Sequence, residues 1–382
     1  MFTLTGCDKS GFQQLPMTGM DNTGEPSLSV AADGAVFLTY LREGDGGAEL
    51  NFRELSESGW SEPKIVTRGD NLLVNWADFP SVIKSHGDKL IAQWMVRQNG
   101  PGYAYDVYIA SSTDRGDTWS QPQRLHSDTS ATEHGFVSLY SDDRGAGAFW
   151  LDGRRYGSKD SGDKGMELRH KRLVDNGEAQ EEVVDRLVCD CCQTDVVSNT
   201  GSPIVVYRDR SEEEIRDIKI ARLSEGEWAQ TSVGSDGWEI TGCPVNGPAI
   251  DQEGSVIAVA WFTAVPTNKV RVAFSFNGGT SFDSPLVVMT ENPIGRVDLE
   301  LSANGQAYVS WLAKGRGEVL YREVNPDGRM STPTKVASMA THRNAGFPRM
   351  VSTGDRLIFA WTDTSDEVPV VRSATKRADM SR

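Results

Sequence analysis

Four cysteines in this chain are placed so that they could act together. Cys189, Cys191 and Cys192 form a C-x-C-C cluster, and Cys243 follows further along the chain. Thiolates at such spacing, joined by imidazoles such as those of His134 and His342, are good ligands for copper or zinc. Because the spacing differs from that of a zinc finger, the pattern predicts a metal site without specifying the ion.

The same cysteines have two other interpretations. In an oxidising compartment they would form two disulfides, in one of three connectivities. A vicinal Cys191–Cys192 bond beside a Cys189–Cys243 bond is one such pairing, and it would join two neighbouring structural units. A redox-active or nucleophilic thiol is the third interpretation. The sequence leaves all three open.

The elements that must position these residues repeat seven times. Each repeat has an apolar strand, a glycine turn and a second strand that ends on a large aromatic residue. These aromatics recur about 50 to 57 positions apart, at Tyr40, Trp94, Trp150, Tyr207, Trp261, Trp311 and Trp361. A period of this length filled with short strands predicts an all-β fold, a seven-bladed β-propeller of four-stranded antiparallel blades. Six blades is the alternative if one repeat is degenerate.

The two ends of the chain are predicted to meet. The seventh repeat stops after residues 368–373 and lacks a fourth strand, whereas residues 12–17 have no repeat of their own. An N-terminal strand that completes the last blade would close the ring and remove an exposed edge. We therefore expect residues 11–382 to form one domain, preceded by a tether at residues 1–10.

The propeller predicts which loops converge. In such a ring, the loops that enter each first strand gather on one face, around the central channel. The cysteines at 189–192 and Cys243 enter adjacent blades, and His134 and His342 also lie on entry loops. We expect the function at this channel mouth, where the chain departs most from its own repeat.

One turn indicates a known superfamily. Residues 112–119 read S-T-D-R-G-D-T-W, which matches the Asp-box pattern S-x-D-x-G-x-T-W at every defined position, and residues 275–282 are a softened copy. With the sevenfold repeat, the chain resembles the sialidase-like, Asp-box β-propeller superfamily. The resemblance is specific for fold and weak for function, because the aspartate of this box satisfies amides of its own turn.

The resemblance implies catalytic candidates. Sialidases hold a substrate carboxylate with three arginines and use a tyrosine nucleophile with acidic partners. The matching candidates here are Tyr207, Arg208, Arg210, Asp195 and Asp298, with Tyr156, Asp78, Glu133, Arg154, Arg155, Arg296, Arg343 and Arg349 as further choices. The N-terminal Arg-Ile-Pro motif of sialidases is absent, and Thr23-Gly24-Glu25-Pro26 stands near that position. Tyr207 also occupies the repeat's core aromatic position.

Charge and the first residues bear on partners and location. With 54 acidic against 39 basic residues, the net charge of −15 argues against nucleic acid and anionic membrane surfaces as partners. Leu4-Thr5-Gly6-Cys7 resembles a bacterial lipobox, although only six residues precede Cys7. We expect an envelope lipoprotein facing the periplasm, with a cytoplasmic protein as the alternative. Its membrane contact would be a lipid on Cys7.

From the sequence, the leading function is a binding protein. Its channel mouth would bind a metal ion (copper or zinc), an anionic small molecule or a glycan. A sialidase-like exo-glycosidase is the first alternative. A scaffold for an envelope protein partner is the second.

Overall fold

The sevenfold repeat folds into a closed ring of seven antiparallel blades. The computed structural model describes residues 11–99, 103–157, 165–174, 179–198, 202–315, 317–342 and 345–378. Within these ranges the chain is nearly all strand, and its one helix, α1 (Arg154–Gly157), is a single turn. No helix of the described residues is long and apolar enough to cross a membrane.

The blades follow one another along the chain. Blade 1 contains β2 (Thr23–Val30), β3 (Val36–Gly44), β4 (Gly47–Ser56), β5 (Gly59–Trp60) and β6 (Lys64–Gly69). Blade 2 contains β7 (Ser81–Lys84), β8 (Leu90–Arg97), β9 (Tyr105–Ser112) and β10 (Gln123–Arg124). Blade 3 contains β11 (His134–Asp142), β12 (Gly145–Asp152), β13 (Met166–Leu173) and β14 (Glu182–Val188).

Blade 4 contains β15 (Asp195–Val197), β16 (Ile204–Arg208), β17 (Ile218–Ser224) and β18 (Glu227–Gly234). Blade 5 contains β19 (Ala249–Glu253), β20 (Val256–Thr263), β21 (Lys269–Ser275) and β22 (Leu286–Met289). Blade 6 contains β23 (Pro293–Leu301), β24 (Ala307–Ala313), β25 (Glu318–Val324) and β26 (Thr334–Ser338). Blade 7 contains β27 (Arg349–Thr353), β28 (Arg356–Asp363), β29 (Val370–Arg377) and the N-terminal strand β1 (Gln13–Gln14).

The ring closes as the sequence predicts, with the first strand completing the last blade. Gln13 of β1 pairs with Thr375 of β29 in antiparallel register. Phe12 is buried beside this strand and packs edge-on against Phe359, with ring centroids 5.5 Å apart. The prediction of seven blades is confirmed, and the six-blade alternative is wrong because all seven repeats form sheets.

The repeated aromatics form the core between blades. All seven lie on the second strand of their blade and are at most 4% exposed. Three of the five tryptophans among them, Trp150, Trp261 and Trp311, are fully buried. Since one blade cannot cover both of its faces, these rings bury the surface that neighbouring blades share.

Carboxylates of the inner strands join adjacent blades. Asp78 precedes β7 and accepts a hydrogen bond of 2.9 Å from the amide of Phe136 in the next blade. The pattern recurs around the ring, from Ile250 to Asp195 (2.9 Å), Leu301 to Asp251 (2.7 Å), Met350 to Asp298 (2.8 Å) and Ser352 to Glu300 (3.0 Å). These bonds satisfy amides that the sheet ladders leave unpaired.

The inner strands begin with a recurring bulge at the channel mouth. Glu25, Phe136 and Arg296 each have a φ between 52° and 55°, and the register of their strands shifts beside them. Left-handed backbone is uncommon for such side chains. Bulges re-aim side chains and are frequent beside functional sites. The repeated bulge therefore marks this face of the ring.

Candidate functional site

The four predicted cysteine ligands form two disulfides. Cys189 pairs with Cys192, and Cys191 pairs with Cys243, with Cα–Cα distances of 5.7 and 6.0 Å. The disulfide interpretation is confirmed, but the vicinal Cys191–Cys192 pairing offered as one possibility does not form: adjacent Cα atoms in a trans peptide are only about 3.8 Å apart, below the usual range of disulfides. The turn at Asp190 instead brings Cys189 and Cys192 together.

These disulfides change what the cysteines can do. The Cys191–Cys243 bond joins the entry loops of blades 4 and 5, so the predicted proximity of these two loops is confirmed. Metal ligation and nucleophilic attack both require a thiolate. While the sulfur atoms are bonded in pairs, neither chemistry is available to them. Cys191–Cys243 connects two blades, and Cys189–Cys192 closes a turn within one entry loop.

The two predicted histidine ligands lie apart from the cysteines. His342 is exposed on the entry loop of blade 7, and no metal-type cluster of the described residues includes it. His134 is fully buried at the start of β11, among Asp106, Asp128 and His126. His126, which lies in no motif of the sequence, stacks on His134 with ring centroids 3.7 Å apart.

Tyr207 and Arg208 face the protein interior. Tyr207 is 1% exposed and its hydroxyl donates to Asp185 at 2.7 Å, and burial raises the pKa of this phenol well above its usual value. Arg208 donates to the carbonyls of Asn246, Arg216 and Phe262, at 2.7 to 2.9 Å. Burial lowers the pKa of Arg208 to about 9. Both side chains hold the interior together and have no surface for a substrate.

Asp195 and Asp298 meet at the channel, as the convergence of entry loops predicts. Both line one cavity together with Arg349 and Phe347. Burial and the nearby Asp298 raise the pKa of Asp195 to about 6. Each carboxylate accepts backbone amides through both of its oxygens. One bond of each carboxylate connects neighbouring blades and the other is local, which leaves these oxygens little freedom for acid–base chemistry.

The channel axis is closed by an aromatic plug. Trp76, on the entry loop of blade 2, stacks on Phe347 of blade 7 with ring centroids 6.1 Å apart. The guanidinium of Arg296 lies 5.3 Å from the Trp76 ring and 5.4 Å from the Phe347 ring. The cavity beside this plug has a volume of about 10 Å³, which is room for about one water molecule. This cavity is too small for a sugar ring.

Polar groups remain accessible beside the plug, over blades 2 to 4. We call Asn75, Tyr103, Glu133, Tyr156, Asp190 and Arg210 the tyrosine surface. They belong to entry loops or to loops between second and third strands, which share the channel face. Tyr103 is 53% exposed and Tyr156 is 41% exposed. They are two of the most exposed large rings among the described residues.

Hydrogen bonds fix the orientation of both exposed rings. Asn75 donates to the Tyr103 hydroxyl at 2.9 Å. The Tyr156 hydroxyl donates to Asp190 at 2.9 Å and accepts from Arg210 at 3.3 Å. Arg210 also forms an ion pair of 2.9 Å with Asp190. The surface is therefore preorganised before any ligand arrives.

Glu133 lies at the same surface and is partly buried. Burial, followed by the charge of Asp190, raises the pKa of Glu133 to about 7. Burial also raises the pKa of Tyr156 above its usual value, as does the neighbouring Asp190. The Tyr156 phenol is therefore protonated at neutral pH and acts as a hydrogen-bond donor.

Sequence reasoning selected this surface only in part. Tyr156, Glu133 and Arg210 were among the candidates for glycan chemistry, and Asp190 lay unselected between the cysteines. Tyr103 carried no signal, because it lies outside the repeat and in no recognised motif. Arg343, another candidate, lies outside the described residues.

Comparison with known proteins adds the class of fold. No family model and no curated protein matches the chain. Among solved structures, it is similar to the polysaccharide lyase Uly1 (TM-score 0.56, 10% identity, covering 93% of this chain and 90% of the lyase) and to an α-L-arabinanase of Penicillium chrysogenum (0.52, 12%, 95% and 96%). It is also similar to a Trypanosoma rangeli sialidase (0.50, 10%, 84% and 56%).

At these identities the similarity concerns the fold alone. The chain is a seven-bladed β-propeller, and its fold is similar to those of a sialidase, an arabinanase and a polysaccharide lyase. The predicted resemblance to the sialidase-like superfamily is confirmed at this level. Function must be argued from the site.

Proposed function

We propose that this chain is a glycan-binding β-propeller that acts outside the cytosol and binds a neutral glycan at the tyrosine surface. The observation that carries the proposal is Tyr156, an exposed ring whose hydroxyl is held between a carboxylate and a guanidinium. As the sequence predicts, the proposed function is ligand binding. The proposed ligand is neutral and binds at the tyrosine surface, whereas the sequence-based expectation is a metal ion or an anionic ligand at the cysteine loops.

The chemistry of a sugar matches this arrangement. A pyranose or furanose ring presents an apolar face of C–H groups and a rim of hydroxyls. The exposed rings of Tyr103 and Tyr156 can pack against the apolar face of the sugar. Asp190 can accept hydrogen bonds from the sugar hydroxyls and Arg210 can donate to them.

The charges of the surface favour a neutral ligand. Arg210 is already paired with Asp190 at 2.9 Å and donates to Glu214 at 2.6 Å. A substrate carboxylate would have to displace these partners and approach Glu133 as well. The net charge of −15 adds long-range repulsion. We therefore infer that sialic acid and uronic acids bind more weakly here than neutral sugars.

The two disulfides support a location outside the cytosol, because such bonds persist in oxidising compartments. A lipid anchor on Cys7 in the bacterial envelope is part of the proposal, although Cys7 lies outside the described residues. Metabolic labelling with a fatty acid tests the anchor: label should enter the wild-type protein and be lost in Cys7→Ser. An unlabelled wild-type protein would contradict it.

A glycosidase is the second candidate, favoured by one contact. Tyr156 and Asp190, 2.9 Å apart, have the residue types of a tyrosine nucleophile with an acidic partner. The raised pKa of Tyr156 works against this role, because a nucleophilic phenolate must form. Turnover of fluorogenic neutral glycosides or a sialoside, abolished in Tyr156→Phe, would establish the enzyme.

Binding is tested by titrating the full chain with defined oligosaccharides. The probes are neutral arabino-, xylo- and gluco-oligosaccharides, with sialyllactose and oligouronides as acidic counterparts. Tyr156→Ala should weaken binding of the best neutral probe by about tenfold, since an aromatic contact contributes on the order of 1.4 kcal/mol. Tyr103→Ala should act similarly.

Phe276→Ala is the matched control, because Phe276 is 51% exposed on blade 5 and outside the tyrosine surface. This variant should bind like the wild type. The proposal fails if no neutral probe binds, if acidic probes bind more tightly, or if all three variants lose affinity equally.

A further inference from the structure

A second group of ligand-type side chains lies where blades 2 and 3 meet. Asp106 is on β9, His126 follows β10, Asp128 is in the connecting loop, His134 begins β11 and Asp152 ends β12. The side chains of both histidines and Asp152 are fully buried, whereas that of Asp128 is 19% exposed. Such a buried mixture of imidazoles and carboxylates requires compensation of its charges.

The hydrogen bonds of His134 indicate what is needed. Its Nδ1 lies 3.3 Å from the carbonyl oxygen of Tyr105, to which it can donate. Its Nε2 then faces Oδ2 of Asp128 at 3.1 Å and Oδ1 of Asp152 at 3.6 Å. An unprotonated Nε2 and two carboxylate oxygens repel one another, even though Arg154 already balances the charge of Asp152. A hydrogen on Nε2 that is donated to Asp128, or a metal ion shared by the three atoms, removes this repulsion.

The two nitrogen–oxygen distances, 3.1 and 3.6 Å, are close to those between the ligands of one metal ion, and all three atoms lie within 4.8 Å of one another. Metal–ligand bonds of about 2.0–2.2 Å in tetrahedral geometry separate the ligand atoms by roughly 3.3–3.6 Å. A ligating histidine usually donates its other ring N–H to a carbonyl or carboxylate, as the Nδ1 of His134 can to Tyr105. Arg154 donates from Nε to Oδ1 and from Nη2 to Oδ2 of Asp152, both at 2.7 Å, so it fixes the carboxylate in place, and an ion would share Oδ1 with this arginine.

The stacked histidine decides between two overlapping groups. Asp106, His126 and His134 are also close enough to share an ion. However, the rings of His126 and His134 are parallel within 6° at 3.7 Å. Imidazole lone pairs lie in the ring plane, so one ion cannot lie in both planes. His126, whose Nδ1 is 3.1 Å from the Asp128 carbonyl, is better placed as a cover for the site.

We propose that His134 Nε2, Asp128 Oδ2 and Asp152 Oδ1 bind one divalent ion of the zinc or manganese class. One imidazole and two carboxylates suit these ions, whereas Cu(I) prefers sulfur ligands. The partial exposure of Asp128 provides a route for the ion and a fourth position for water. This site is separate from the tyrosine surface and does not depend on its function.

The test measures Zn²⁺ and Mn²⁺ binding to the chelator-treated full chain. One of the two ions should bind with a stoichiometry of about one and raise the temperature of unfolding. Asp128→Asn should lower the affinity by at least about 100-fold, because even outer-shell partners contribute 10- to 100-fold. Co²⁺ substitution should give a spectrum without thiolate-to-metal charge transfer.

Three variants complete the test. Asp106→Asn should keep the affinity within a few-fold, and the exposed controls His86→Gln and Asp143→Asn should leave it unchanged. If His134→Asn does not fold, the spectrum and stoichiometry of the wild type still decide. The proposal is overturned if neither ion binds. Loss of binding in Asp106→Asn but not in Asp128→Asn, or a thiolate band, also overturns it.

Discussion

Tyr207 and Tyr156 show how position in a blade determines what a tyrosine can do. Tyr207 occupies the core aromatic position of the repeat and points into the interior, where its hydroxyl meets Asp185. Tyr156 lies in the single-turn helix α1, in the connection between β12 and β13, and 41% of its surface is exposed. The repeat itself identifies the buried tyrosine, because the structural position recurs in every blade. The exposed one departs from the repeat.

Tyr207→Phe should lower stability and leave binding unchanged. The variant removes a hydrogen bond to a partly buried carboxylate, which costs on the order of 1–3 kcal/mol of unfolding free energy. Denaturant unfolding measures the loss, and titration with the best neutral oligosaccharide should give the wild-type affinity. Weaker binding in the folded variant would mean that Tyr207 contributes to the site.

Entry loops of blades 4 and 5 are joined covalently, and this connection is the main element-scale departure from the repeat. The Cys191–Cys243 bond spans a sequence separation of 52, whereas Cys189–Cys192 spans 3. A longer closed loop restricts the unfolded chain more. The two bonds should therefore differ in their effects on stability.

Removing the longer bond should cost more stability. In the chain-entropy account, Cys191→Ser with Cys243→Ser loses about 4 kcal/mol, and Cys189→Ser with Cys192→Ser loses about 2 kcal/mol. Urea unfolding of the two double variants under identical conditions measures the difference. Equal losses, or a larger loss for the short loop, would contradict the entropic account.

Some features of the strands and loops could be predicted from the sequence, and others could not. Blade number, closure by residues 12–17 and convergence of entry loops all follow from strand periodicity and the geometry of a ring. The disulfide pairing does not, since it depends on the turn at Asp190. The plug does not either: nothing local to Trp76 indicates that it stacks on Phe347, far away in sequence.

Across the whole molecule, inner-strand carboxylates hold the ring together and make its stability depend on pH. Burial raises the pKa of Asp78 to about 7 and of Asp195 to about 6, and burial with the charge of Asp251 raises that of Glu300 well above its usual value. The folded state therefore keeps protons that the unfolded chain loses above about pH 4. Stability should fall as pH rises from about 4 to about 7.

Glu300→Gln should flatten this dependence. Gln can still accept from the Ser352 amide and hydroxyl, which now contact Oε2 of Glu300, and it carries no charge. Thermal unfolding between pH 5 and 8 should show a shallower decline for this variant than for the wild type. The exposed control Glu227→Gln should keep the wild-type slope. A wild-type unfolding temperature that rises over this range would contradict the prediction.

The ring is proposed to bind its ligand at the tyrosine surface, and hydrogen exchange of the full chain tests this location. With the best neutral oligosaccharide bound, exchange should slow in the loops that carry Tyr103, Tyr156 and Asp190, and remain unchanged around Phe276. Tyr156→Ala should reduce the protection when the ligand concentration is close to the wild-type Kd. Protection confined to the opposite face of the ring, or none at a saturating concentration, would contradict the account.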